Sequence, residues 1–253
     1  MTQDLKQKLI FLAEQNEVSQ FLNSDPSQFT RWYKNPSDCE IASFIAAILS
    51  FGNRKQFIPK IKQIFELADK SGGIYKWIKT SSFLNDFNSA DSNNQKKFYR
   101  FYSYEDMHAF FSRIKIILEK NSTFGEFVKN EYQTRLNKSE HLSQTISRIF
   151  DGCKVVPQGK TCANKRVNMF LRWMVRQNSP VDLGIWTWFD SKDLIIPLDT
   201  HVIQQSVKYG LIEKNAASSL KTALLISEQL KLIWPNDPCK GDFALFGEGV
   251  NSK

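Results

Sequence analysis

The sequence predicts an all-α fold on three observations. Apolar residues recur at the helical period over most of the chain, sustained strand alternation is absent, and turn-forming residues gather in a few polar stretches. At 253 residues, 42% of them hydrophobic, the chain can bury an extensive core as one large domain or two closely packed lobes.

Taken in order, Ile41, Ile45, Ile48 and Leu49 mark one amphipathic helix. Ile58, Ile61, Ile64, Phe65 and Ala68 mark a second, and Phe110, Ile114, Ile117 and Leu118 a third. Ser81 to Lys97 is dense in Asn, Asp and Ser and predicts a surface excursion, while Asn137 to Ser143 and Lys154 to Asn164 predict further connections. A helix follows over Ala163 to Gln177. Its Val167, Phe170, Leu171 and Met174 form a stripe that faces the core, and Lys165, Asn168, Arg172 and Arg176 share a different, basic face that suits a polyanion. Asn178-Ser179-Pro180 ends it, because proline pushes the preceding residue out of helical geometry. From Pro197 the chain enters another helix, with Asp199 near its N-cap and Gly210 as its stop.

The net charge of +8 raises the odds of a polyanionic partner without identifying it. The N-terminus carries no signal-peptide pattern, and the longest apolar run, Ile41 to Phe51, falls well short of the ~20 residues of a spanning helix. A soluble, cytoplasmic protein is expected. Its four cysteines, Cys39, Cys153, Cys162 and Cys239, are too scattered for a zinc ribbon or an iron-sulfur cluster, so reduced thiols, no metal and no cofactor are expected.

The most informative residues are Lys165 and the segment Leu194-Ile195-Ile196-Pro197-Leu198-Asp199-Thr200-His201-Val202. A lysine amine can attack a sugar carbon, and a carboxylate beside the ring stabilises the positive charge that develops there. At an ordinary lysine pKa of about 10.4 only about one amine in 2,500 is neutral at pH 7, so the nucleophile needs activation. Burial, Arg166 and the positive end of its helix favour the neutral amine; a nearby Asp199 opposes that but can itself accept the proton. As ordinary structure, Asp199 is a helix cap and Lys165 a solvated lysine.

The apolar-Pro-Leu-Asp-Thr-His-Val pattern around Asp199 resembles the catalytic-aspartate segment of the helix-hairpin-helix DNA glycosylase superfamily, to which endonuclease III and the 8-oxoguanine glycosylases belong. Lys165 stands where that superfamily keeps its Schiff-base lysine. Over most of its length the chain more closely resembles a bacterial family known mainly as a domain of unknown function, through Glu40 to Lys55, Phe98 to Phe111 and Asp237 to Val250. Where the superfamily places a Leu-Pro-Gly-Val-Gly turn before the lysine, this chain has Val156-Pro157-Gln158-Gly159-Lys160, with one glycine. The long insert between lysine and aspartate, with Trp186, Trp188 and Asp190, resembles the archaeal 8-oxoguanine glycosylase branch.

The resemblance implies a two-lobed helical glycosylase-like fold with a catalytic cleft and a degenerate helix-hairpin-helix. A central lobe over 40–210 would carry the catalytic helices, and 1–39 with 211–253 would form the second. It implies a bifunctional DNA glycosylase and abasic-site lyase of base excision repair, a monomer acting on double-stranded DNA that contains a damaged base, with an oxidised purine such as 8-oxoguanine favoured. Lys165 and Asp199 would be catalytic. Asn53, Arg54 and Lys55 would meet the duplex at an inserting loop; Lys160, Arg166, Arg172, Arg176 and His201 would reach phosphates or bases. Trp186, Trp188, Phe243 and Phe246 are candidates to stack on an extruded base, and Asp242 to bond its edge; a core role is the ordinary alternative for each aromatic. Two rival classes are a non-catalytic DNA-binding relative and a metal-dependent hydrolase around Asp199 and His201, the latter disfavoured by a total of three histidines.

Overall fold

Helix formers and helix caps alternate along almost the whole chain, and the computed structural model accordingly builds helices wherever the apolar period is helical. It describes residues 1–88, 96–134 and 140–251, with side chains to residue 247. Apart from one two-stranded antiparallel hairpin, the regular structure of these residues is helical, as expected for an all-α chain. The chain divides into two compact units, 29–158 and 1–28 with 159–253.

The continuous unit, 29–158, begins with α1 (Pro36–Leu49), whose Asn35 accepts the Ser37 N–H at 2.9 Å and whose first position is proline. Every residue from Cys39 to Leu49 is buried, which is why this helix reads as nearly continuous apolar sequence. Then come α2 (Arg54–Asp69), α3 (Ile74–Lys79), α4 (Phe83–Asp86), the strands β1 (Lys97–Tyr99) and β2 (Tyr102–Ser103), α5 (Tyr104–Lys120), α6 (Phe124–Gln133) and α7 (Leu142–Ile149). The core is aromatic: the Phe44 ring lies 4.9 Å from those of Phe124 and Phe150 and 5.8 Å from that of Phe110. Ser103 and Asp106 form a capping box that joins β2 directly to α5.

Two expectations change here. The Ser81 to Lys97 excursion opens with the single turn of α4, flanked by the buried Phe83 and Phe87; its residues 89–95 lie outside the described residues, as do 137–139 of the next polar stretch. Strands of three and two residues are also too short to show an alternating pattern.

The discontinuous unit holds α8 (Gln3–Asn16), α9 (Lys165–Val175), α10 (Thr200–Lys208), α11 (Leu220–Lys231) and α12 (Gly241–Asn251), α8 being the N-terminal helix. Leu9 and Ala13 of α8, the run Ile195, Ile196 and Leu198, Val202, then Ala223, Ile226, Leu230 and Leu245 form one core. A Cβ at Gly247 would collide with the Asn16 amide, so glycine permits the close approach of α12 to α8. The expected lobes are corrected by this packing: the helices that carry Lys165 and Asp199 share a core with the chain termini rather than with residues 40–158. Helix α9 is also shorter than the expected Ala163 to Gln177, because Asn164 takes a left-handed conformation at φ 47° and Arg176 is extended.

Phe44→Ala removes a fully buried ring from three aromatic neighbours and is expected to cost about 3–5 kcal/mol. Urea unfolding should show a lowered midpoint with an unchanged slope, and a loss below about 1 kcal/mol would contradict the packing described.

Candidate active site

The buried run Leu194 to Leu198 anchors one side of the site, with the Ile196 N–H donating to Ser227 Oγ of α11 at 3.0 Å. Asp199 is the first residue to leave the core and caps α10: its Oδ1 accepts the Val202 N–H at 2.9 Å. On the other side Asn168, buried in the first turn of α9, donates to the Ala163 carbonyl at 2.9 Å and ties the incoming loop to the helix that begins with Lys165. The Lys165 ammonium meets Asp199 Oδ2 at 2.9 Å, with the lysine side chain 36% and the aspartate side chain 15% exposed. One carboxylate oxygen therefore holds a helix and the other holds the amine, in a place that solvent-borne groups can reach. Phe246, half-buried, borders the pair: its ring centroid lies 5.8 Å from Lys165 Nζ and 6.2 Å from the imidazole of His201.

Behind the pair lies a buried ion network. Arg172 binds Asp182 Oδ1 at 3.2 Å and pairs with Asp242. Arg176 pairs with Asp182, reaches both Asp237 oxygens at 2.8 Å and meets Glu17 Oε1 at 2.8 Å. The two arginine side chains are 5% and 2% exposed. The basic face expected of α9 is therefore corrected: Arg172 and Arg176 are buried and paired with carboxylates rather than displayed at the surface. Asp242 is likewise a network member rather than a group offered to a base edge. Burial pushes its carboxyl up to about 6, against the pull of Arg172 and with the help of the nearby Asp199 charge. Burial disfavours the Arg172 charge, but Asp182 and Asp242 outweigh it and keep the guanidinium a cation.

The other candidates are dispersed. Lys160, exposed, rims an open apolar depression of about 500 Å3 with Lys221, Leu220 and Leu225, and Arg166 is half-buried one residue beyond Lys165. Trp186 is buried against Phe170, and Phe243 is buried with its ring 4.5 Å from the Arg172 guanidinium, so both expected stacking roles are corrected to core packing. Trp188 is half-buried on Trp186 and lines an open polar depression of about 480 Å3 with Gln177, Phe189 and Asn236. Asn53, Arg54 and Lys55 belong to unit 29–158, where Asn53 caps α2 by accepting the Lys55 N–H at 2.9 Å. Helices α7 and α9, which flank the expected hairpin, belong to different units. Sequence reasoning missed Glu17, Asp182 and Asp237, which no spacing pattern ties to the arginines they bind.

Among the described residues no group of three or more His, Cys, Asp and Glu side chains is arranged to hold a metal ion, and no helix is long and apolar enough to cross a membrane. All four cysteines are free thiols. Compared with known proteins, residues 25–251 match the model of a family described as a protein of unknown function (DUF2400). No curated protein and no solved structure matches the chain.

Two outcomes follow from the network. Asp182→Ala removes the one carboxylate shared by both buried guanidiniums and is expected to cost about 3–5 kcal/mol in denaturant unfolding; a loss under about 1 kcal/mol would contradict the burial. Because the folded Asp242 carboxyl is raised from 3.8 to about 6, the native state binds the extra proton in that window, and the contribution of this group to stability falls as pH rises through it and levels off above. The stability difference between wild type and Asp242→Asn, measured by unfolding across the window, should move against wild type with rising pH; a flat difference would contradict the raised value.

Proposed function

The chain belongs to the DUF2400 family, whose description assigns no activity, and from the site geometry we propose that it is a bifunctional DNA glycosylase with abasic-site lyase activity. The observation that supports this reading is the Lys165 amine held 2.9 Å from an Asp199 carboxylate that is itself fixed by a helix N-terminus. In the proposed reaction Asp199 takes a proton from the Lys165 ammonium, and the freed amine attacks C1′ of the deoxyribose. The C1′–N bond to the base breaks, and the base leaves with its electron pair and takes up the proton that the attacking nitrogen sheds as its new bond to C1′ forms. Opening of the sugar ring, with the proton returned from Asp199 to the ring oxygen, produces the Schiff base. Loss of a C2′ proton then expels the 3′ phosphate and nicks the strand.

The substrate proposed is double-stranded DNA with a damaged base, an oxidised purine such as 8-oxoguanine. The buried network withdraws more acid than base from the surface, leaving that surface more basic than the overall +8. Lys160 and Arg166 are proposed to contact phosphate near Lys165; Asn53, Arg54 and Lys55, considered within unit 29–158 by itself, are proposed as a separate DNA contact. Phe246 and His201, which border the Lys165–Asp199 pair, are the groups proposed for the extruded base. A second reading, a non-catalytic DNA-binding protein, is favoured by the single glycine, Gly159, in the loop before α9.

Borohydride trapping tests the proposal on duplexes that carry an abasic site or 8-oxoguanine. The expected result is a covalent adduct on both for wild type, at least a hundredfold reduced for Lys165→Gln and strongly slowed for Asp199→Asn. Duplex binding with no adduct on either would overturn the catalytic reading and leave the binding one.

A further inference from the structure

We propose that the tip of the β1–β2 hairpin, Arg100-Phe101, is a base-stacking wedge for DNA; this rests on the DNA reading above but concerns unit 29–158 alone. Of the hairpin's aromatic residues, Phe98, Tyr99 and Tyr102 are buried to within a few per cent, whereas Phe101 is 51% exposed. A single exposed phenylalanine is unremarkable; its mounting is what carries the argument. The Phe101 ring rests 5.2 Å from that of Phe51 and 4.7 Å from that of Tyr102. The hairpin beneath is pinned on both sides, by Tyr99 Oη donating to the Phe51 carbonyl and by Tyr102 Oη donating to that of Val155 at 3.1 Å. An apolar ring is thus presented on a rigid support rather than on a loose loop.

Arg100 adds charge and an unusual backbone. It sits at φ 52°, a left-handed position that glycine fills at less cost, and its guanidinium lies 5.5 Å from the centre of the Phe51 ring. Gly52, at φ 83°, makes room: a Cβ there would collide with that guanidinium. The loop and hairpin therefore interlock, Arg100 adjoins the exposed ring in the chain, and Lys55 and Lys97 are exposed on the same two segments. A flat apolar face with a guanidinium next to it and lysines on the supporting segments matches a nucleobase flanked by phosphates. Stacking of this kind is sequence-tolerant, because every base offers a π face. The wedge should favour DNA in which a base has lost its partner, where the stack is already open.

The test measures binding of the full chain to a duplex with an abasic site and to the intact duplex of the same sequence, with 2-aminopurine opposite the gap. Phe101→Ala is expected to weaken abasic-duplex binding about tenfold and to abolish the change in 2-aminopurine fluorescence, with intact-duplex affinity and salt dependence unchanged. Phe101→Trp should retain both. Lys97→Gln should weaken both duplexes and lower the slope of log affinity against log salt by about one. A Phe101→Ala protein with wild-type thermal unfolding and an unchanged preference for the abasic duplex would overturn the wedge. If that protein also forms the borohydride adduct, the glycosylase reading survives its loss. A wild-type chain that binds neither duplex would remove both.

Discussion

Arg172 and Arg176 tie Asp182, just after α9, to two distant parts of the chain: Glu17 after α8, and the stretch from Asp237 to Asp242 that leads into α12. Taking both guanidiniums out of water is costly unless every carboxylate partner is in place, so the network forms as a whole or not at all. That requirement sets where α9 lies. Lys165 at the first turn of α9 and Phe246 on α12 are then placed by the same clamp. The site at the surface is in this sense a consequence of the ion network beneath it.

Asp199 completes the arrangement by dividing its two oxygens. The one that caps α10 fixes the carboxylate, and a negative charge is at home at a helix N-terminus. Lys165 lies at the N-terminus of its own helix, where positive charge is disfavoured, so the carboxylate offsets a local penalty. In the proposed reaction the proton passes between an amine nitrogen and a carboxylate oxygen that lie 2.9 Å apart. Burial is what raises Asp242: taken fully out of water, its carboxyl is pushed up despite Arg172, and the nearby Asp199 charge adds to the shift.

Much of the fold was legible in the apolar period, since Ile41 to Leu49, Ile58 to Ala68 and Phe110 to Leu118 all fall within helices whose inner faces they mark. Asp199 was legible as an N-cap because an apolar run and a proline precede it and a helical pattern follows. Its meeting with Lys165 was expected only through the resemblance, and the geometry brings the two side chains together. The roles of Arg172, Arg176 and Asp242 were misread because helical spacing places them on one face without saying what covers it. Their partners come from positions 17, 182 and 237, which share no sequence pattern. The grouping of the termini with α9 and α10 was hidden for the same reason, as it depends on long-range packing. The β hairpin was too short to register.

The most direct measurement of the central claim is mass-spectrometric mapping of the reduced adduct formed on an abasic duplex by the wild-type chain. The account predicts that the deoxyribose remnant lies on a peptide that contains Lys165, attached to its Nζ, although the chain has many other lysines. An adduct on any other lysine, or spread over several, would contradict the assignment of Lys165 and Asp199 as the reacting pair.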